Sequence, residues 1–353
     1  MKKQGMMILI VLMVLLGAGF AVVNGWDLAS IQQRSLELDQ RVAIARLEEK
    51  IQGLKVEEAI EDAAFASSAG NREAELEGYD TKEWKPFLAE AEARAAKKET
   101  RIAELNAQAE GLEKSLDLSL ASAKLQWKQE MVEVAKQKLE METVRLNAGM
   151  SIEAKLQDAV AMLTQAEADR VTAEQEVEIA RIVLSQQIKV ENPSIAPMAE
   201  IEARFPTQPE LEVWIALDPD VIRTKAEWER AEALKSKASE GYTADDRIWK
   251  QKHQEALKAL LGYQDAKQNA EIAIQKDWQR AALAFKGLET ALRYDKVAEM
   301  QVSNAELKFN EGLISKSDLL DSQGKRSEAQ VNLKAAEAEY LSANTRYQIW
   351  RSK

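Results

Sequence analysis

Hydrophobic positions recur in steps of three and four over most of the chain, with few interruptions. Leu36 to Phe65 places Leu38, Val42 and Ala45 on one face and predicts a helix. Residues 67–84 (SSAGNREAELEGYDTKEW) lose the periodicity and predict a break. Pro86 suits the first turn of a helix, where its missing N–H has no partner to lose. From there to Leu146 no further proline occurs, and Gly111 is the single glycine. Ile102, Leu105, Ala109, Leu112 and Leu116, and then Leu120, Ala123, Trp127 and Met131, trace a heptad-like seam of the kind that packs helices side by side. About 60 helical residues at 1.5 Å each make a rod of roughly 90 Å.

Gly149 ends this rod as a C-cap glycine would. A second helix from about Ile152 to Ile188 must run back along it, because so short a link gives antiparallel neighbours. Five of the six prolines then fall between 193 and 219 and mark the main boundary. Beyond it the pattern restarts. A helix over 217–238 has Asp218 as its N-cap and Pro219 at its first position. A short break follows at Glu240–Tyr242. A second proline-free rod runs from about Asp245 to Phe309, turns at Gly312 and returns as Ser317 to Trp350.

An offset of 163 positions superposes the two turns without a gap: Arg145 on Lys308, Leu146 on Phe309, Asn147 on Asn310, Gly149 on Gly312 and Met150 on Leu313. The register continues with Leu156 on Leu319 and Asp158 on Asp321. Ungapped agreement through both turns indicates a duplicated unit. The predicted fold is all-α, with two tandem long antiparallel coiled-coil hairpins. The organisation is residues 1–26 as a leader or anchor, 27–190 as the first hairpin, 191–216 as a proline-containing linker and 217–353 as the second hairpin.

Composition narrows the function. The net charge of −11 and interspersed signs exclude a general nucleic-acid binder, which needs a basic face. No cysteine is present and His253 is the only histidine, so thiol chemistry, disulfides, Cys/His zinc sites and a lipoprotein anchor are excluded. His253 is expected at a solvated position on the rod. Carboxylate pairs such as Glu48/Glu49 and Asp245/Asp246 sit on solvent-facing helices without the desolvated cleft that acid–base work needs. No cofactor and no enzymatic activity are expected. Lys2 and Lys3 precede an uncharged run from Met6 to Val23, which predicts an export signal or a transmembrane anchor with the remainder outside the cytoplasm.

The stretch LKFNEGLISKSDLLDSQGKRSEAQVNLKAAEAEYLSANTRY (307–347) resembles the second hairpin of the TolC-like outer-membrane efflux proteins. Phe309, Gly312, Ser315, Asp318 and Leu319 take the places of the family's tip motif. The first tip keeps Arg145, Leu146, Ala148, Gly149 and Leu156 but carries Ile152 and Lys155 where the motif has Ser and Asp. LDPDVIRTKAEWERAEA resembles the family's repeat start, and the likeness covers most of residues 35–350.

The resemblance implies a homotrimeric helical tunnel, with an outer-membrane location by family analogy. The hairpin tips would dock a periplasmic adaptor protein and an inner-membrane transporter. It points to Arg145, Asn147, Gly149, Asn310, Gly312, Leu313, Ser315 and Asp318 as docking residues; the same residues also suffice to reverse the chain and cap its helices. Family members insert barrel strands between the first and second helices of each repeat. Here the corresponding breaks, 67–84 and about 239–246, are too charged or too short for spanning strands, so the β-barrel is expected to be missing. The alternative is a membrane-tethered coiled-coil spacer of the cell envelope. Trp84, Tyr242 and Trp249, beside the breaks, would mark a membrane interface or cap the bundle end; Trp127, Trp228 and Trp278 read as packing.

Overall fold

The computed structural model describes residues 26–66, 71–196 and 203–352. The apolar run Met6–Val23 lies outside them, and among the described residues no helix is long and apolar enough to cross a membrane. The order is α1 (Leu28–Leu38), α2 (Gln40–Phe65), α3 (Arg72–Tyr79), a π-helical turn (Asp80–Trp84), α4 (Lys85–Asn147), α5 (Glu153–Ile188), α6 (Leu211–Ala216), α7 (Pro219–Gly241), α8 (Arg247–Asn310) and α9 (Lys316–Ser352). Among the described residues there is no β-strand, only an isolated parallel bridge between Trp26 and Ile195. The fold is all-α with long helices, as the periodicity predicts.

Three local expectations need correction. The stretch expected to break at 67–84 is helical from Arg72 onward, because Asn71 accepts the Ala74 N–H at 3.0 Å and starts α3. Pro86 does not open a helix; helical backbone already precedes it. In a regular α-helix a proline ring would clash with the carbonyl four residues back; here a π-turn, in which the Lys85 N–H bonds the Asp80 carbonyl, leads into Pro86. Nor is Leu36–Phe65 one helix: Asp39 leaves helical conformation, takes the Arg41 N–H at 2.8 Å and separates α1 from α2. The predicted N-cap at Asp218 is present, receiving the Asp220 N–H at 3.1 Å. The proline linker contains the short helix α6.

Two compact units are formed, and α4, α8 and α9 contribute a segment to each. Of the described residues, the first comprises those up to Leu38 together with 108–196, 203–206 and 281–344. Its long helices form a layer in the order α5, α4, α9, α8. Lys128 of α4 pairs with Asp169 of α5 at 2.7 Å. Glu113 of α4 accepts from Ser342 of α9 at 2.6 Å. Arg326 of α9 meets Glu299 of α8 at 3.0 Å. Helix α1 lies across α4 and α5, where Ile31, Leu118, Ala121, Val177, Leu184 and Ile188 make a buried cluster. Gly111 permits that crossing, since a Cβ there would stand 2.4 Å from Ser35 Oγ and 2.9 Å from Ser35 Cβ.

The second unit comprises 39–107, 207–280 and 345–353. Its helices also succeed one another as a layer, in the order α2, α4, α7, α8. Thr100 Oγ1 donates to the Ala45 carbonyl at 3.1 Å and Arg46 pairs with Glu104 at 2.8 Å. Arg223 of α7 reaches Glu99 and Glu92 of α4 at 2.7 and 2.8 Å, and hydrogen bonding to Glu99 raises its pKa above the ordinary arginine value. Trp228 of α7 stacks on Tyr263 of α8 with centroids 5.5 Å apart. His253 is not simply solvated: it is half-buried and stacked on Trp249, with centroids 5.0 Å apart.

The seams within each layer are narrow. Along α8, Ala270, Ile274, Ala281, Ala284, Leu288, Ala298, Val302 and Ala305 are buried and keep one seven-residue register. Alanine on a heptad seam lets helix axes approach closely, and the strict period keeps the seam facing its neighbour.

The hairpin tips as a candidate functional site

Both reversals end a helix with the same backbone chemistry. At the first, the Gly149 N–H bonds the Leu146 carbonyl at 2.9 Å and the Met150 N–H the Arg145 carbonyl at 2.8 Å. At the second, the Gly312 N–H bonds Phe309 at 2.9 Å and the Leu313 N–H bonds Lys308 at 2.8 Å. These paired bonds are a Schellman cap, which needs a left-handed residue after the helix. Gly149 and Gly312 supply it with φ of 71° and 72°. A third pair, Ala148 N–H to Val144 and Glu311 N–H to Leu307, repeats at the same offset.

The returning helices start differently. Ser315 and Asp318 form a reciprocal cap: Asp318 Oδ2 accepts from the Ser315 N–H at 2.9 Å and hydroxyl at 2.7 Å, and Ser315 Oγ accepts the Asp318 N–H at 3.2 Å. The Ser315 hydroxyl, its N–H and the Lys138 charge hold the Asp318 carboxyl below the usual aspartate range. At the first tip, Ile152 occupies the capping position and offers no side-chain bond. Ser151 instead donates to Glu142 at 2.8 Å, and Arg145 pairs with the same carboxylate at 2.9 Å. Ser151 and then Arg145 lower the Glu142 pKa. The first tip is thus fastened at the end of α4, and the second at the start of its returning helix.

Both tips belong to the first unit and lie at one end of it. Lys138 of α4 pairs with Asp321 of α9, about three helical turns inside each reversal. Arg145, Asn147, Gly149, Asn310, Gly312, Leu313 and Asp318 are exposed there, and Ser315 is half-buried. Arg145, Gly149, Gly312, Ser315 and Asp318 act in the reversal or its fastening, while Leu313 offers an exposed apolar side chain beside the second turn.

Leu313 has exposed apolar companions that periodicity alone does not single out. Val144 and Leu307, equivalent by the offset of 163, are each 62% exposed. Met150 and Leu313, the next equivalent pair, are 75% and 68% exposed, and Ile152 is 63% exposed. Their signal in the sequence is that they fall at a chain reversal, where no neighbouring seam is left to receive them. Among the described residues no group of three His, Asp or Glu side chains is arranged to hold a metal ion.

No family model matches the sequence, and no curated protein matches it significantly. Solved structures do match. The CmeC outer membrane channel of Campylobacter jejuni aligns with TM-score 0.64 and 12% identity, over 92% of this chain and 85% of that one. The outer membrane protein VceC of Vibrio cholerae aligns with TM-score 0.64 and 12% identity, over 91% and 95%. The open state of the MtrE outer membrane channel of Neisseria gonorrhoeae gives TM-score 0.57 and 14% identity, over 94% and 93%. The chain therefore has the fold of the TolC-like outer-membrane channels, expressed among its described residues without a β-strand.

Proposed function

We propose that the protein is a passive, non-enzymatic component of an envelope export or efflux assembly, a helical duct element whose two hairpin tips dock a periplasmic adaptor served by an inner-membrane transporter. One observation carries this. The two reversals have the same hydrogen bonds, lie at the same end of one unit, and expose equivalent apolar pairs, Val144 with Leu307 and Met150 with Leu313. Exposed apolar knobs repeated at matched positions fit a partner that reads both tips alike. The matched turns also support the duplication into two hairpins, with Arg145, Asn147, Gly149, Asn310, Gly312, Leu313, Ser315 and Asp318 forming or flanking the docking surface. Copies of the chain would close the duct, as a homotrimer by analogy with the channels. The location is the extracytoplasmic envelope, reached or anchored through the N-terminal segment.

A spacer role without transport is favoured by a different observation. Where barrel strands would leave each repeat, residues 72–84 are helical and only Tyr242–Asp246 separate α7 from α8. Arg72 donates to the Gly241 carbonyl and joins these two places directly.

The absence of native cysteine gives a clean test. Single cysteines at Met150 and at Leu313, cross-linked in intact envelopes, are expected to capture an adaptor protein identified by mass spectrometry. Capture of copies of the same chain alone, or of nothing, at both positions would remove the docking role and leave the spacer.

A further inference from the structure

Three buried polar atoms without a hydrogen-bond partner fall at one level of the first unit: Trp127 Nε1 on α4, Asp295 Oδ1 on α8 and Arg326 Nε on α9. Contacts between the helices fix that level. Lys138 with Asp321 and Glu113 with Ser342 set the register of α4 on α9 and place Trp127 at the level of residues 328–332. Arg326 with Glu299 sets α9 on α8 and brings Asp295 to the same level. The remaining junction of the layer, α4 with α5, is open here as well. A cavity of about 400 Å³ is lined mainly by Gln126, Gln129, Glu130 and Glu133 of α4 and by Glu167 and Arg170 of α5. All three helix–helix junctions are therefore poorly satisfied in one band, roughly 20–30 Å from the reversals.

Asp295 is out of pattern on its helix. It occupies the seven-residue register of Leu288, Ala298, Val302 and Ala305, and a polar residue on such a seam lowers stability. Another aspartate on this register, Asp277, accepts from Trp350 Nε1 at 2.6 Å; Asp295 Oδ1 has no such donor. A buried acceptor left unmade loses its hydration without return.

The two sides of the band are held differently. Away from the tips, α1 crosses α4 and α5 through the Ile31 cluster. There Tyr340 also clamps the linker: its hydroxyl accepts the Arg204 N–H at 3.0 Å and donates to the Arg204 carbonyl at 2.9 Å. Toward the tips the described elements are the four layer helices alone, joined in pairs by the two reversals. Within the band the Arg326–Glu299 pair is 37% and 55% exposed, so water screens it and it fastens little.

We propose that this band divides the first unit into two cooperative bodies, and that the tip-bearing arm loses its packing as a unit of its own while the clamped body stays folded. Opening at the band lets water reach Trp127 Nε1, Asp295 Oδ1 and Arg326 Nε, which gain hydrogen bonds that the closed layer denies them. The division does not depend on what the tips bind.

Native-state hydrogen exchange in graded urea, followed by mass spectrometry on the full chain in mild detergent, tests this. Amides of α4 beyond residue 137, α5 before 166, α8 beyond 300 and α9 before 325 should share one opening. It should appear at lower urea than the opening of residues 112–121, 281–290 and 336–343. Asp295→Leu and Trp127→Phe each remove one unsatisfied atom and keep an apolar side chain at the seam. Each should slow exchange of the arm at least about fivefold, the factor that one relieved buried group is worth, and leave the body unchanged. If Asp295→Leu alters the helical content, Trp127→Phe carries the test alone. A single opening shared by arm and body, a boundary outside residues 126–136 of α4, or an arm whose exchange Trp127→Phe leaves unchanged would each overturn the proposal.

Discussion

The tip glycines give a prediction whose sign depends only on backbone conformation. A Cβ built on Gly149 or Gly312 meets nothing within 4 Å, and the same is true at Gly53, Gly262 and Gly287. Sterics beyond the residue itself therefore cancel from the comparison. Within the helices, replacing glycine by alanine removes an entropic cost and should stabilise by about 0.5–1 kcal/mol per site. At the tips the same change forces an L residue to hold φ near 71° or 72°, a left-handed conformation costing roughly 1–2 kcal/mol. The unfolded chain still loses freedom, which offsets about 0.4–1 kcal/mol of that. The net is a destabilisation of about 1 kcal/mol at each tip, and a spread of roughly 1.5–2 kcal/mol between tip and helix sites.

Urea unfolding followed by circular dichroism, run on Gly149→Ala, Gly312→Ala, Gly53→Ala, Gly262→Ala and Gly287→Ala under one set of conditions, measures this spread. Asparagine at either tip should cost less than alanine, because its short polar side chain tolerates the left-handed region. Adaptor capture in the cross-linking assay should fall with the tip alanines and not with the helix alanines, since the Schellman bonds set where Met150 and Leu313 stand. If tip and helix alanines shift the unfolding midpoint in the same direction, the reasoning that these glycines are present for positive φ is wrong.

Gly111→Ala should destabilise despite its favourable helix propensity: the new methyl falls 2.4 Å from Ser35 Oγ, and overpacking of this kind costs about 1–3 kcal/mol. Adding Ser35→Gly should recover most of the loss in a double-mutant cycle, and a cycle with no coupling would show that α1 does not cross where described. Asp318→Asn should lower thermal stability of the second tip at neutral pH. Because Ser315 holds the folded Asp318 pKa below its ordinary value, the carboxylate's contribution is present above the ordinary aspartate range and is lost as pH falls through the lower folded value. The gap between wild type and Asp318→Asn should therefore be constant from neutral pH down to that range and close only below it, as followed by melting at stepped pH.

Much of this architecture is legible in the chain because coiled-coil helices advertise themselves over long windows. The α4 positions from Ile102 to Met131 that read as a seam are buried or half-buried, and Val42 and Ala45 mark the packed face of α2 as expected. The tip glycines were legible for a local reason: positive φ has a residue signature. The exposed apolar residues of the tips were less so. Val144, Met150 and Leu307 look like continuations of helical seams until the reversal shows that their neighbouring helix has ended.

The sequence by itself determined the helices, their antiparallel return and the matched tips, since period, capping chemistry and short links act within a few residues of one another. Tertiary structure decided what local pattern leaves open. It turned the residues around Pro86 into a π-turn instead of a helix start, because a continuous helix already led into them. It placed Gly111 under Ser35, a contact between residues 76 positions apart. It also chose which seam of α2 packs inward. The small seam allows the close approach that lets Thr100 reach the Ala45 carbonyl, and this leaves Ile44, Leu47, Ile51 and Leu54 exposed.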